Sequence, residues 1–204
     1  MNKFSSLIFL VVAGLFSAIT AHAHVNVALG KPVSLIGAFG TGSGYFGGGY
    51  LPPLPSASIV TDGVFQGGGW TNGLWWDEQN SGTHNFVVID LQGTYAINSF
   101  SAMVDNNEPY LLEYKDTSGS WQTAWNIPEV CCSGLSLRTA NLPTTVTATE
   151  LRLSAIFVNT PGHDYAYSVS EIQAGVVPEA DTWMMMLLGS GLVSWQVRRK
   201  QASK

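Results

Sequence analysis

Short segments in which apolar and polar residues alternate dominate the middle of the chain. At 151–155, Leu151, Leu153 and Ala155 are separated by Arg152 and Ser154. A period of two is typical of a β-strand with one buried face. Similar strand-like runs, separated by residues that favour turns, lie at 85–91, 96–104, 110–115, 120–125 and 167–174. Because no long amphipathic helix pattern occurs between them, the sequence predicts an all-β sandwich or barrel.

An apolar run near the N-terminus differs from these strands in its length and flanks. Lys3 precedes the run at 7–19, and the small-x-small sequence AHA follows at 21–23. This order is typical of a secretory signal peptide. We therefore predict a signal peptide at 1–23 and a mature chain that begins at His24.

A second apolar run lies near the C-terminus. The segment 183–197 carries no charge and is followed by Arg198, Arg199 and Lys200. Its 15 residues are fewer than the roughly 20 that a membrane-spanning helix needs. Basic residues beside such a segment favour the cytoplasmic side of the membrane.

The residues around this run resemble the PEP-CTERM sorting signal of Gram-negative bacteria. Pro178, Glu179 and Ala180 precede the run, and the basic cluster follows it. In that family the third residue is usually proline, which Ala180 replaces here. The resemblance implies anchoring in the inner membrane, processing by exosortase, and release to the cell surface or extracellular matrix. An ordinary C-terminal membrane anchor is the alternative.

The predicted organisation is a signal peptide at 1–23, a β-sandwich domain at 24–176 and a sorting signal at 177–204. The middle segment holds four basic and twelve acidic residues, a formal net charge of −8 against −5 for the full chain. An acidic surface repels phosphate backbones, so we predict no nucleic-acid partner. A neutral polysaccharide is compatible with this charge.

The order of sequence motifs in the middle segment resembles that of discoidin-like domains, the factor V/VIII C-type or galactose-binding-like family. The matching motifs are NVALGKPV at 26–33, IVTDG at 59–63, FVVIDL at 86–91, GTYAINSF at 93–100, LEYKDTSGSW at 112–121, TELRL at 149–153 and SEI at 170–172. The resemblance implies a jelly-roll β-sandwich with paired central strands at 86–91 and 93–100. It also implies binding of carbohydrate, lipid or protein through loops, with Trp121 in the core.

Aromatic and polar residues in turn-rich sequence are candidates for sugar binding. An aromatic ring packs on the C–H face of a sugar, and amides or carboxylates bind its hydroxyl groups. The predicted ligand-binding residues are Trp75, Trp76, Asp105, Asn106, Asn107, Glu108 and Tyr110. Alternatively, the tryptophans belong to the core and the asparagines only form a turn. The Gly-rich segment 37–55 is either a further ligand-contacting loop or a plain insertion.

The discoidin resemblance also implies a calcium ion near the Asp-Gly turn and the last strand. Asp62 and Glu171 would supply oxygen ligands, with backbone carbonyls completing the site. The insertion at 64–69 departs from the family pattern after Gly63. In the alternative interpretation, Asp62 only caps the turn.

The chain has two cysteines, and they are adjacent: Cys131 and Cys132. A bond between neighbours has poor geometry and closes almost no loop. A vicinal disulfide, an intermolecular bridge and two free thiols all remain open. A zinc site would need further ligands nearby, and the sequence shows none.

The sequence does not predict an enzyme. It contains no Gly-x-Ser-x-Gly, His-Glu-x-x-His or Cys-x-x-Cys motif. A copper site at His24 is the most specific catalytic alternative, but the order of motifs in this sequence does not resemble that of copper oxygenases. We predict an exported, surface-sorted, non-catalytic module that binds exopolysaccharide or cell-surface glycan. The alternative is a structural matrix or adhesion protein with protein partners.

Overall fold

The computed structural model describes residues 25–40, 52–77, 84–157, 165–176 and 190. One compact unit spans Asn26–Val176. The predicted signal peptide lies outside the described residues, as do Pro178, Glu179, Ala180, Arg198, Arg199 and Lys200. Among the residues that are described, no helix is long and apolar enough to cross a membrane.

The described residues form eight β-strands and two short 3₁₀ helices. The strands are β1 (Val25–Asn26), β2 (Val33–Ile36), β3 (Leu74–Asp77), β4 (Phe86–Asp105), β5 (Tyr110–Lys115), β6 (Trp121–Ile127), β7 (Leu135–Ala155) and β8 (Ala166–Val176). The 3₁₀ helices are Ala57–Thr61 and Trp70–Asn72. The prediction of an all-β domain is confirmed for this part of the chain.

The two long antiparallel strands, β4 and β7, take part in two groups of strands. The first part of β4 pairs with β2 and with the end of β7, which continues to β5 and β6. The second part of β4 pairs with the beginning of β7 and with β8, and β3 pairs with β8. Register shifts in the β4–β7 pairing between Asp90 and Tyr95 and between Ile97 and Ser99 separate the two parts. Such irregularities bend a strand, so one strand serves both groups.

The core lies between these two groups. In the first part of β4, Val87, Ile89 and Leu91 are buried and alternate with more exposed residues. The end of β4 and almost all of β8 are buried without alternation. Together with the other strands they bring further apolar side chains to the same cluster, which includes Phe100, Val104, Leu112, Leu151, Leu153, Val169 and Ile172. Burial of these side chains provides the main driving force for folding.

Two predictions about the strands are wrong. The segments 86–91 and 93–100 were expected to pair with each other but belong to one strand, β4. Gln92 has a positive φ of 55°, and its N–H donates to Asp90 Oδ1 at 2.8 Å, so the chain bends there without reversing. Trp121, expected in the core, is half-buried, with Lys115 Nζ 5.5 Å and Arg152 Cζ 4.3 Å from its ring centroid.

The strand-like runs predicted at 110–115 and 120–125, with turn-favouring residues between them, form the antiparallel hairpin of β5 and β6. Asp116 Oδ1 accepts hydrogen bonds from Ser118 N at 2.9 Å and Ser120 N at 3.0 Å. Gly119 has a φ of +86°, which glycine adopts without strain. The hydrogen bond from the Ser118 side chain, and next that from the Ser120 backbone, lower the pKa of Asp116. The turn is therefore organised around an ionised carboxylate.

Candidate functional site

Several loops meet at one end of the sandwich. Tyr110, at the start of β5, pairs with Ile127 at the end of β6 and with Ala155 at the end of β7. Asp105, at the end of β4, pairs with Leu135 at the start of β7. We use the term loop end for the described residues 106–109, 128–134, 156–157 and 165, which follow or precede these strand termini.

Buried polar contacts fix the first of these loops. Asp105 Oδ1 accepts hydrogen bonds from Asn106 N at 2.8 Å and Gly134 N at 2.6 Å. Arg138 donates to Asp105 O at 3.0 Å and to Asn106 Oδ1 at 2.7 Å. Ser136 Oγ also contacts Asn106 Oδ1, and Val130 N donates to Asn106 O at 2.8 Å. Asp105 and Asn106 thus hold the loops 106–109 and 128–134 together.

Trp75 and Trp76 do not lie in an exposed turn, so that prediction is wrong. Both belong to β3, which pairs with β8, and both side chains are fully buried. Trp76 stacks on Tyr167 with 5.7 Å between ring centroids, and Trp75 packs edge-on against Trp70 at 5.5 Å. Burial leaves neither ring a face for a ligand, so they act in packing.

Tyr110 is likewise a core residue and not part of an exposed surface. Its side chain is fully buried, and its hydroxyl donates to Ser168 O at 3.0 Å and accepts from Ser168 N at 2.9 Å. Burial, followed by the charge of Asp105, raises the pKa of Tyr110 well above its ordinary value. The neutral hydroxyl therefore connects β5 to β8.

The remaining predicted ligand residues differ in how deeply they are buried. Asp105 and Glu108 are fully buried, which contradicts direct ligand contact, whereas Asn106 and Asn107 are half-buried. The side chain of Asn106 is occupied by Arg138 and Ser136. Asn107 Nδ2 is 3.4 Å from Glu108 Oε1, while Asn107 Oδ1 is itself buried and has no hydrogen-bond partner within the described part of the chain. Of the predicted set, Asn106 and Asn107 keep part of their side-chain surface exposed.

The loop end also contains an aromatic pair that the sequence analysis missed. Phe157 stacks on Tyr165 with 5.3 Å between ring centroids and 19° between planes. Phe157 is 52% exposed and Tyr165 is half-buried. Ile156 N donates to Pro109 O at 3.0 Å, so the pair adjoins the loop of Asn107. The signal in the sequence was a pair of aromatic residues flanking the Pro-Gly turn dipeptide at 161–162.

Asp62 and Glu171, the predicted calcium ligands, lie close together. Gly63 N donates to Glu171 Oε2 at 3.2 Å, and Val64 N donates to Asp62 Oδ1 at 2.8 Å. Glu171 is fully buried, and burial raises its pKa to about 7 with a further contribution from the charge of Asp62. Hydrogen bonds from Gln173 and Gly63 act in the opposite direction.

The carboxylates of Asp62 and Glu171 are part of a donor set for a calcium ion. Carboxylate and backbone carbonyl oxygens are the ligands that calcium prefers, and a cation would relieve the burial of the Glu171 carboxylate. In the described ranges, no cluster of three or more His, Cys, Asp or Glu residues could hold a metal. Backbone carbonyls would therefore have to complete the coordination. The contact with Val64 N shows that Asp62 also caps the turn.

The two cysteines lie on the exposed surface of the loop 128–134. Both are free thiols, with 2.8 Å between their Sγ atoms. Cys132 has a φ of +62°, an uncommon backbone conformation for a residue other than glycine. The hydrogen bond between the two side chains raises the pKa of Cys132.

The fold is similar to that of family 32 carbohydrate-binding modules. A Clostridium perfringens module in complex with GlcNAc-α-1,4-galactose is 16% identical, with a TM-score of 0.50 over 78% of this chain and 98% of that chain. A Streptococcus pneumoniae module is 14% identical, with a TM-score of 0.49 over 74% and 98%. A second C. perfringens module, in complex with galactose, is 12% identical, with a TM-score of 0.48 over 75% and 98%.

No family model and no curated protein matches the sequence. The similarity to solved structures nevertheless supports the discoidin-like sandwich as the fold of the described domain.

Proposed function

We propose that this chain is a non-catalytic module that binds glycans through its loop end. The observation that carries the proposal is the half-exposed Phe157–Tyr165 stack beside the loop of Asn107. The C. perfringens module that binds GlcNAc-α-1,4-galactose has a similar fold, which supports the proposal by analogy.

The chemistry of the loop end suits a neutral sugar. The exposed ring of Phe157 offers an apolar surface for sugar C–H groups, and the half-buried side chain of Asn107 lies in the neighbouring loop. Asp105 and Glu108 are buried beneath the loop and would disfavour an anionic ligand. We infer that exopolysaccharide or cell-surface glycan is the natural partner.

Export and sorting form a separate part of the proposal, based on the termini of the sequence. The chain would enter the inner membrane through 183–197, and exosortase would then release it to the cell surface or extracellular matrix. Mass spectrometry of the protein from hosts with and without exosortase tests this step. Loss of the C-terminal segment only when the protease is present is the expected result, and identical masses would refute it.

A calcium ion at Asp62 and Glu171 would have a structural role in this proposal. Asp62 and Glu171 hold the turn that follows the 3₁₀ helix Ala57–Thr61 against β8. When bound, calcium would neutralise the two carboxylates. The ion is thus proposed to stabilise the fold without contacting the glycan.

Glycan-array screening followed by titration calorimetry of the full chain tests the binding function. Phe157→Ala should weaken binding of the selected glycan at least tenfold, the order expected when an aromatic contact of about 1.4 kcal/mol is lost. Leu29→Ala is the control, since Leu29 is also an exposed apolar residue (55%) but lies two residues before Lys31, whose Nζ is 5.7 Å from the Tyr95 ring centroid, away from the strand termini at the loop end. Equal losses in both variants, or no binding by the wild type, would favour a matrix protein with protein partners.

A further inference from the structure

The adjacent thiols of Cys131 and Cys132 are already close enough to react with each other. Their Sγ atoms are 2.8 Å apart, and both side chains are exposed to solvent. The left-handed backbone of Cys132 accompanies this convergence. A disulfide has an S–S distance of about 2.05 Å, so the sulfur atoms must move about 0.8 Å closer together, into a strained ring.

Hydrogen bonds tie the loop that carries these thiols to the loop of Asn107. Val130 N, immediately before Cys131, donates to Asn106 O at 2.8 Å. Gly134 N, two residues after Cys132, donates to Asp105 Oδ1 at 2.6 Å. Both contacts involve residues that directly precede Asn107. The backbone around the cysteines and the proposed sugar-binding loop are therefore connected from both sides.

We propose that Cys131 and Cys132 form a reversible disulfide within the loop, and that this bond strengthens glycan binding by restricting the backbone at 131–132, between the amides of Val130 and Gly134 that donate to Asn106 and Asp105. The second part of this proposal rests on the proposed glycan-binding function, whereas the first does not. With both thiols free, the loop already combines converging sulfurs with intact hydrogen bonds at Val130 and Gly134. Oxidation therefore adds a covalent bond to this arrangement, and reduction removes that bond.

The oxidant is a small-molecule disulfide such as oxidised glutathione. One cysteine loses its thiol proton to solvent, and its thiolate attacks the oxidant, forming a mixed disulfide and releasing one glutathione thiolate. The thiolate of the other cysteine then attacks the protein sulfur of the mixed disulfide and releases the second glutathione. Each released thiolate takes up a proton, so the protein loses two hydrogens and the oxidant is reduced to two thiols. Because adjacent residues close a small, strained ring, excess reduced thiol reverses the reaction.

Thiol counting on the full chain tests disulfide formation without any glycan. After equilibration with oxidised glutathione, both thiols should become unreactive to a maleimide, the mass should fall by two hydrogens, and a non-reducing gel should show a monomer. Cys131→Ser and Cys132→Ser are matched controls, because each should stop at a stable mixed disulfide with glutathione. Persistent free thiols, a stable mixed disulfide on the wild type, or a covalent dimer would overturn the proposal.

Amide hydrogen exchange and glycan titration test the effect on the loop. Oxidation should slow exchange at Val130 and Gly134 several-fold and tighten glycan binding, and the double variant Cys131→Ser/Cys132→Ser, which has no thiol, should respond to neither oxidant nor reductant in binding affinity. Unchanged exchange at both amides would refute the coupling. If exchange slows but neither redox state binds glycan, the proposed disulfide stands and the proposed glycan-binding function fails. Equal affinity in the two redox states would refute only the proposed effect of the disulfide on glycan binding.

Discussion

At the residue scale, the hydroxyl of Tyr110 joins two strands that belong to different groups of the sandwich. It exchanges hydrogen bonds with the backbone of Ser168 in both directions, inside a site without solvent exposure. The rings of Trp76 and Tyr167 pack edge-on against it, with centroids 6.1 and 5.4 Å away. The side chain of Tyr110, which the sequence suggested for ligand contact, therefore stabilises the fold beneath the loop end.

Tyr110→Phe should destabilise the domain by about 1–3 kcal/mol, because it leaves the backbone N–H and C=O of Ser168 buried without this partner. Urea unfolding monitored by tryptophan fluorescence provides the measurement. Tyr95→Phe is the control, since Tyr95 is only half-buried. This variant should lose less than about 0.5 kcal/mol of unfolding free energy. A Tyr110→Phe variant as stable as the control would contradict the bridging role.

Glu171 should make stability depend on pH when calcium is absent. Its pKa is raised from 4.5 to about 7 in the folded protein, so the folded state binds the proton more tightly than the unfolded state does. The free energy of unfolding should therefore fall as pH rises through this interval, by up to about 3 kcal/mol, and level off above it. Urea unfolding in chelator between pH 4.5 and 8 measures this, and Glu171→Gln should flatten the curve.

Calcium should reverse this trend, because the ion binds the ionised carboxylates and stabilises the folded state by mass action. The melting temperature should rise on addition of calcium at pH 8 and change little at pH 5. Glu129→Gln, which alters an exposed glutamate, should respond as the wild type does, and Glu171→Gln should not. An equal response of both variants would remove Glu171 from the proposed site.

At the element scale, the pairing of strands decides which residues remain available for function. In β3, Leu74, Trp75, Trp76 and Asp77 are all buried, because the strand is covered on both faces. A strand buried on both faces lacks the alternation that identified 151–155, and its flanking glycines made it resemble a loop. The β5–β6 hairpin was predictable because its turn chemistry is local, whereas the pairing of β3 with β8 joins distant parts of the sequence.

The turn of the β5–β6 hairpin should depend on one acceptor atom. Asp116→Ala removes Oδ1 and should speed amide exchange at Ser118 and Ser120, whereas Asp116→Asn keeps an oxygen in that position and should have a smaller effect. The lowered pKa of Asp116 adds a pH test. The carboxylate's contribution to the stability of the turn is fully present above pH 3.8, the ordinary pKa of an aspartate. It is lost as pH falls through the lower pKa of Asp116 in the folded state. Equal exchange in the two variants at pH 6 would contradict this account.

At the scale of the whole domain, two bent strands bring the loops of both strand groups to one end. The bends in β4 near Gln92 allow one strand to pair in both groups, and the loops at 106–109 and 128–134 meet as a result. The motif order predicted the sandwich, and the polar run 105–108 marked one of its loops. The Phe157–Tyr165 stack was missed, because the sequence shows only an aromatic residue on each side of a Pro-Gly dipeptide, and contact between the rings arises where the end of β7 and the start of β8 approach each other.

Chemical-shift mapping tests the central claim most directly. A ¹⁵N-labelled sample of the full chain is titrated with the glycan that the array selects, and amide shifts are followed residue by residue. The account predicts saturable shifts concentrated at 106–109, 128–134, 156–157 and 165, with little change around Leu29 and Tyr95. Shifts concentrated around Leu29 and Tyr95 or on the outer strands, or no shifts at saturating glycan, would contradict it.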